Sequence, residues 1–201
     1  MELILISILG YLIGSVPFAY VIGKVFYQTD VRDHGSGNLG GSNTGRVLGK
    51  KAGVTVMALD LLKVTLVTAL TLKFSGHPWA VAFSSVSAAI GHCYPIFLRF
   101  RGGKAVATMF GFLFSLWVFA GSSALTFFLP LASFLTVLFL FKIVSLSSML
   151  SGVAAAAYIC LTGGPLPLCT AAVAFALLVI IRHRDNITRM LRGQENKIRW
   201  M

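Results

Sequence analysis

The sequence predicts an all-α integral membrane protein built as a bundle of seven transmembrane helices. Of its 201 residues, 57% are hydrophobic and only 11% are charged, and the mean hydropathy is +0.85. The apolar residues also occur in long runs, which is the pattern of a chain that crosses a bilayer repeatedly. A soluble chain of this size needs far more charge to cover its surface. A soluble globule, a disordered chain and a disulfide scaffold are therefore excluded.

Seven apolar segments have about the length that a helix needs to cross a bilayer, about 17–25 residues. They form one domain, residues 1–201, and cover approximately 3–23, 53–73, 78–97, 105–121, 124–141, 147–162 and 165–182. The first segment has no charged region before it, so we expect a spanning helix rather than a cleaved signal peptide. It contains Gly10 and Gly14, whose spacing suits a close helix contact, either within the chain or with a second copy. The sixth segment is short and rich in Ala, Gly and Ser, which favours an interior helix.

The basic residues predict the orientation of this bundle. The first, third and fifth gaps between segments and the C-terminal tail hold all 17 lysines and arginines except Lys63 and Lys73. They are Lys24, Arg32, Arg46, Lys50, Lys51, Arg99, Arg101, Lys104, Lys142, Arg182, Arg184, Arg189, Arg192, Lys197 and Arg199. Because basic residues accumulate on the cytoplasmic side of a membrane, we expect a cytoplasmic C-terminus and an N-terminus outside.

The formal net charge of +11 also bears on the partners of the protein. The basic residues lie in short gaps between apolar runs, so anionic substrates or lipid headgroups are expected rather than nucleic acid. The three cysteines, Cys93, Cys160 and Cys169, show no metal-binding spacing, and no metal or cofactor is expected.

Two charged residues lie at membrane depth in the second segment. Asp60 and Lys63 stand three positions apart on one helical face, so they can pair with each other. The pair either neutralises itself while it orients the helix or takes a direct part in substrate binding, since charges inside membranes commonly serve function.

The first candidate site is a glycine-rich stretch, residues 35–46, before the second segment. Its glycines allow backbone amides to turn inward on an anion, and its polar side chains and Arg46 add donors. The expected ligands are Ser36, Gly37, Asn38, Gly40, Gly41, Ser42, Asn43, Thr44 and Arg46. A nucleotide P-loop is excluded because Arg46-Val47 stands where Lys-Ser/Thr is required and no strand precedes the stretch. The alternative is a flexible loop.

The second candidate site is Gly102-Gly103-Lys104, at the start of the fourth segment. Amides at a helix N-terminus beside an ammonium group form an anion site, and Lys104 is the strongest single candidate. Arg99 and Arg101 are interpreted as topology anchors or lipid-headgroup contacts. His92 is expected to make a hydrogen bond at a helix end, and its neighbour Cys93 is expected to be inert.

The third candidate site follows the last segment. His183 and Asn186 are three residues apart and share one face if that helix continues. Ser145 and Ser148, between the fifth and sixth segments, are expected on the same surface.

Together, these residues resemble the bacterial acylphosphate:glycerol-3-phosphate acyltransferase family, the PlsY type. The resemblance covers Ser36 to Gly53, Asp60 with Lys63, Gly91 to Thr108, the two serines, and Arg182 to Glu195. Departures occur at Gly41-Ser42, Thr44-Gly45, Val64 and Ala105, and none of them removes a donor or a charge.

The resemblance implies transfer of a fatty acyl group from acyl-phosphate to the 1-hydroxyl of glycerol 3-phosphate, which gives lysophosphatidate and phosphate. Catalytic roles are expected for Lys104, Arg46, His183 and Asn186, and the other candidates are expected to bind substrate. A monomer in the bacterial inner membrane is expected, with its site facing the cytoplasm. Two alternatives remain at this point, a transporter for an organic or inorganic phosphate anion and a scaffold that binds anionic lipid.

Overall fold

The computed structural model describes residues 1–198, and within them the chain is all-helical, with ten α-helices and no strand. This confirms the predicted fold class. The helices are α1 (Glu2–Gly14), α2 (Phe18–Tyr27), α3 (Gly41–Leu48), α4 (Lys50–Phe74), α5 (Pro78–Cys93), α6 (Val106–Phe119), α7 (Leu125–Phe141), α8 (Val144–Leu161), α9 (Leu166–Arg182) and α10 (Arg184–Leu191). Arg199, counted above among the basic residues of the tail, lies outside the described residues.

The first apolar segment is longer than predicted and is broken near its middle. It extends from Glu2 to Tyr27, and Pro17 separates α1 from α2. Proline has no backbone N–H, and its ring collides with the carbonyl four residues earlier, so the helix ends before it. The Val16 carbonyl then lies outside both helices and accepts a hydrogen bond from Lys63 Nζ at 3.0 Å.

Glycines bring α1 against α5 within the same chain. A Cβ atom at Gly10 would lie 2.5 Å from the Ser84 carbonyl oxygen, and one at Gly14 would lie 2.0 Å from that of Ala88. Only residues without a side chain allow the two backbones to approach this closely. Of the two alternatives for this glycine pair, the structure shows the contact within the chain.

Each of the predicted apolar segments contains a helix, but the helices differ in length. Within residues 1–198, four spans are long and apolar enough to cross a membrane: Glu2–Tyr27, Lys50–Phe74, Pro78–Leu98 and Val144–Leu161. Helices α6 and α7 are apolar but shorter, and α9 meets α10 at a bend of 57°. The fold is therefore a multi-helix membrane bundle, and the count of seven spans remains a prediction.

The centre of the bundle lies between α4, α5, α6, α8 and α9. Phe112 of α6 stacks on Phe175 of α9 with ring centroids 5.0 Å apart, and both are buried. Helix α8 buries its serine and small-residue face, including Ser148 and Ser151, but exposes Leu150 and Val153 on the other side. The sixth segment is therefore an interior helix on one face only.

Candidate active site

One cavity, of about 760 Å³, brings the three predicted clusters together. Its wall is formed by α3, α4, α6, α7, α8, the junction of α9 with α10, and the C-terminal tail. The predicted site residues that line it are Ser36, Asn38, Gly40, Gly41, Ser42, Asn43, Arg46, Lys104, Ser145, Ser148, His183 and Asn186. Gly37, Thr44, Gly102 and Gly103 do not belong to the wall.

The glycine-rich stretch is a short loop followed by a helix, rather than one long phosphate loop. Gly35 and Gly37 have φ angles of 62° and 68°, which glycine adopts without strain. Asn43, on the first turn of α3, holds this loop from inside: its Oδ1 accepts from the Ser36 N–H at 2.8 Å, and its Nδ2 donates to the Val31 carbonyl at 2.9 Å.

Two of the expected ligands in this stretch are used by the protein itself. The amide of Asn43 is committed to the loop, although the residue lies at the cavity wall. The Thr44 hydroxyl is fully buried and donates to the Gly40 carbonyl at 3.1 Å. We therefore assign both side chains to shaping the loop rather than to binding substrate.

Helix α3 points its first turn at the cavity. The first N–H groups of a helix have no carbonyl in a preceding turn, and the helix dipole makes this end attractive to anions. Gly41 is required for packing here, because a Cβ atom would lie 2.1 Å from Met57 Cγ. Arg46, on the same helix, is exposed to the cavity, and within residues 1–198 its guanidinium has no protein partner.

The glycine pair before α6 belongs to the loop that carries Lys104. The Gly103 N–H is occupied by the His92 carbonyl at 2.9 Å. Arg182 donates to the carbonyl oxygens of both glycines, at 3.0 Å for Gly103 and 3.1 Å for Gly102, and its guanidinium lies over the Tyr94 ring. The Gly103 N–H and both glycine carbonyls therefore hold the loop that carries Lys104, and anion binding by this glycine pair stays a prediction.

Lys104 itself lies at the polar end of the cavity. Its Nζ donates to the side-chain oxygen of Asn186. Burial lowers the pKa of Lys104 to about 8, and the nearby Arg189 cation acts in the same direction. An ammonium that is partly desolvated interacts strongly with an anion that enters the cavity.

Glu195, which the sequence analysis did not single out, organises the other side of the polar end. Its carboxylate accepts from Asn186 Nδ2 at 2.6 Å, Ser145 Oγ at 2.8 Å and Arg189 Nε at 2.8 Å. Burial opposes ionisation of Glu195, but these hydrogen bonds outweigh it and keep its pKa below the ordinary value. The tail returns to the bundle beyond this point, where the Ile198 N–H donates to the Lys142 carbonyl.

His183 occupies the bend between α9 and α10. The sequence analysis placed His183 and Asn186 on one face only if the last helix continued straight, and it does not. The bend nevertheless brings both residues to the cavity. His183 Nδ1 lies 2.7 Å from the Val179 carbonyl oxygen. A carbonyl can only accept, so Nδ1 carries the proton, and Nε2 is the nitrogen available to a ligand.

The predicted pair of Asp60 and Lys63 is present and includes a third member. Lys63 Nζ lies 2.7 Å from Asp60 Oδ1 and 3.0 Å from His92 Nδ1, and all three side chains are buried. Lys63 also reaches the broken first segment at Val16, as described above. Asp60 and His92 line the cavity, so the cluster connects the helix bundle to the site wall.

The other end of the cavity is apolar. Leu61 of α4, Phe110 of α6 and three side chains of α7 form it, and the α7 members are Phe127, Leu131 and Phe134. The Phe110 ring meets those of Phe127 and Phe134 edge to face, at 6.0 and 6.3 Å between centroids. This surface can hold a hydrocarbon chain while the polar end holds an anion.

The described part of the chain brings no set of side chains together that could bind a metal ion. No group of three or more His, Cys, Asp or Glu side chains among residues 1–198 is placed to hold a metal ion.

Comparisons with known proteins show similarity to one kind of enzyme. A family model described as glycerol-3-phosphate acyltransferase matches residues 4–193. A glycerol-3-phosphate acyltransferase of Listeria monocytogenes serotype 4a is 48% identical over 204 residues, covering 100% of this chain and 98% of the relative. One of Geobacillus kaustophilus is 45% identical over 198 residues, covering 98% and 96%.

Two solved structures are also similar to this chain. Both are crystal structures of PlsY, an integral membrane glycerol 3-phosphate acyltransferase, and both cover 98% of this chain and 96% of their own. The glycerol 3-phosphate form has a TM-score of 0.91 at 34% identity. The lysophosphatidic acid form has a TM-score of 0.88 at 33% identity.

Proposed function

The chain belongs to the glycerol-3-phosphate acyltransferase family, and we propose that it transfers a fatty acyl group from acyl-phosphate to the 1-hydroxyl of glycerol 3-phosphate. The products are lysophosphatidate and inorganic phosphate, and the reaction is the first acylation of phospholipid biosynthesis.

The observation that carries this proposal is the composition of the cavity that the three predicted clusters share. Arg46, Lys104 and His183 line it together with the first turn of α3, and its wall also includes apolar side chains of α4, α6 and α7. Both proposed substrates carry a phosphate, and one carries a long acyl chain as well. At about 0.8 kcal/mol per buried CH₂, that chain contributes on the order of 10 kcal/mol of partitioning, which suits a site inside a membrane protein.

The residues divide into two groups by what they offer. The first turn of α3 and the unpartnered Arg46 bind one phosphate. Ser145, His183 and Asn186 hold glycerol phosphate so that its hydroxyl meets the acyl carbonyl. Lys104 lines the same cavity, bonded to Asn186, and stabilises negative charge on a phosphate or on the developing oxyanion.

The reaction needs no covalent enzyme intermediate, because acyl-phosphate already carries a good leaving group. The hydroxyl oxygen attacks the carbonyl carbon, the bond from that carbon to the phosphate oxygen breaks, and the phosphate leaves as an anion. The hydroxyl proton goes to His183 Nε2 or to a phosphate oxygen of the substrate. Positioning and electrostatic stabilisation carry the rate enhancement.

The distribution of basic residues supports a location in the bacterial inner membrane with seven spans and the site toward the cytoplasm. Glycerol 3-phosphate, a charged metabolite, would then reach the polar end from the cytoplasm, and acyl-phosphate would enter from the membrane. The close contact of α1 with α5 uses the glycine pair inside one chain, which favours a monomer.

Purified protein with acyl-phosphate and labelled glycerol 3-phosphate tests the proposal. We expect labelled lysophosphatidate and an equal amount of phosphate, and parallel reactions with acyl-CoA test the choice of donor. A matched pair of variants, Lys104→Ala and Lys73→Ala, separates enzyme turnover from background acyl transfer. Counterflow of unchanged glycerol 3-phosphate in proteoliposomes, without product, would instead support the transporter.

A further inference from the structure

The segment between α5 and α6 carries an exposed patch that the proposed chemistry does not use. Ile96, Phe97 and Phe100 are exposed by 49%, 60% and 57%. Arg99 and Arg101 stand beside them, also exposed, and in the described part of the chain their guanidinium groups have no partner. We name residues 94–103 the basic–aromatic loop.

The backbone of this loop is held in an unusual shape. Arg99 and Phe100 are consecutive non-glycine residues in the left-handed region, with φ angles of 51° and 61°. This conformation is unfavourable for residues with a side chain and persists only where the surroundings enforce it. Here the Pro95 carbonyl accepts the Phe100 N–H at 3.0 Å, and Leu98 is buried as an anchor. The fold thus holds the backbone of Arg99 and Phe100 in an unfavourable conformation that leaves both side chains exposed.

The base of the same loop is joined to the catalytic lysine. Gly102 packs so tightly that a Cβ atom would lie 2.5 Å from Pro95 Cδ and 2.1 Å from the His92 carbonyl oxygen. Gly103 is bonded to His92, and Arg182 holds both glycine carbonyls. Lys104 follows directly, so the loop and the lysine are joined by this short, tightly packed segment.

We propose that the basic–aromatic loop binds the headgroups of anionic phospholipids, and that this contact holds Lys104 in its working position. The phosphodiester of such a lipid is complementary in charge to the two guanidinium groups, which bind phosphate oxygens by charge-assisted hydrogen bonds. The exposed aromatic and aliphatic side chains match the acyl region just below the headgroups. Turnover therefore rises with the anionic fraction of the surrounding membrane, whose phospholipids are made from the product of the proposed reaction.

This inference rests on the proposed function, since its readout is acyl transfer, and the experiment keeps the two separate. Wild-type protein is placed in nanodiscs of phosphatidylcholine with increasing phosphatidylglycerol, and kcat and KM are measured in each. The test variant is Arg99→Gln with Arg101→Gln. The matched control is Arg184→Gln with Arg192→Gln, which removes the same charge from two exposed arginines of the α10 region.

We expect wild type and control to gain several-fold in kcat as phosphatidylglycerol increases, and the test variant to stay at its phosphatidylcholine value. The affinity for phosphatidylglycerol, measured from the lipid retained per protein across a series of lipid concentrations, should fall in the test variant by about fivefold for each arginine removed. Added inorganic phosphate should not replace the lipid. A test variant that responds like wild type, or a wild type indifferent to lipid charge, would overturn the inference. Absence of acyl transfer in every membrane would count against the proposed function, while the lipid-retention measurement would still decide the binding.

Discussion

Lys104 donates a hydrogen bond from Nζ to the Asn186 side-chain oxygen at 2.5 Å, although 82 positions separate the two residues in the chain. The bond joins the loop before α6 to the helix that follows the bend at His183. Through Asn186 it continues to Glu195 and Ser145, so one connected set of side chains frames the polar end of the cavity.

Lys104→Ala is expected to lower kcat by about 10²–10³-fold, the usual effect of removing an oxyanion-hole donor. The reason is that negative charge at the reacting centre loses its nearest ammonium group. Steady-state release of phosphate in nanodiscs measures the effect, and Lys73→Ala, far from the cavity, should turn over like wild type. Near-normal turnover of Lys104→Ala would refute this role.

The pKa of about 8 at Lys104 predicts an alkaline limit to activity. Below that pH the amine carries its proton and its charge, and as the pH rises through it the neutral amine takes over and stabilisation of the anion is lost. A plot of log kcat/KM against pH, which reports groups of the free enzyme, should therefore fall above about pH 8. Arginine stays protonated in proteins, so whatever activity Lys104→Arg retains should show no such fall. Identical alkaline limbs in the two proteins would exclude Lys104 as the titrating group.

His183→Ala tests the proton acceptor. If His183 Nε2 takes the hydroxyl proton, turnover should fall by about 10²–10⁴-fold and the acidic limb of the pH–rate profile should disappear. Val179→Ala is a useful control, since it keeps the carbonyl that orients the ring. An unchanged profile with retained turnover would remove His183 as the base and leave the substrate phosphate in that role.

Gly103→Ala is expected to impair catalysis without touching a ligand. The added Cβ would lie 2.0 Å from His92 Nε2, so the loop must shift and carry Lys104 with it. A displacement of this kind can cost about 10²-fold in rate. Gly152→Ala is the matched control, because its Cβ would meet its nearest neighbours at an ordinary 3.4 Å. Equal kcat values for the two variants would contradict the positioning role of Gly103.

Glu195→Ala is expected to destabilise the protein and to weaken binding of glycerol 3-phosphate. The change leaves the buried Asn186 and Ser145 donors without their acceptor, at a cost of about 1–3 kcal/mol for such groups. Thermal unfolding in detergent and KM for glycerol 3-phosphate measure the two effects. Asp185→Ala, whose carboxylate is 79% exposed, provides the comparison. A Glu195→Ala protein as stable as Asp185→Ala would show that the network is dispensable.

The helical membrane fold could be predicted because long apolar runs and gap charges are local signals in the sequence. Helix α3 could not, because glycines argue against a helix on propensity alone. It forms because Gly41 and Gly45 let its backbone pack directly on α4, where a Cβ at Gly53 would lie 2.7 Å from Gly45 Cα. That contact is tertiary, so no window of the sequence reveals it.

The candidate site was predictable to a similar degree. Arg46, Lys104, His183 and Asn186 stand out by residue type and do meet at one cavity. The hydrogen-bond partner of each polar group could not be predicted from the sequence. Asn43, Thr44 and the glycine pair 102–103 all bond to groups of the protein itself. Glu195 follows the end of α10 in a basic tail. Only the family resemblance, which extends from Arg182 to Glu195, indicated that this residue matters.

The bond from Lys63 to the Val16 carbonyl has a consequence for assembly in the membrane. The Val16 carbonyl lies between the two halves of the broken first segment, where an unpaired carbonyl is costly in hydrocarbon, and its donor Lys63 belongs to the next long helix. The first two segments must therefore pack together before the Val16 carbonyl gains its hydrogen bond, which makes their insertion a cooperative step during biogenesis.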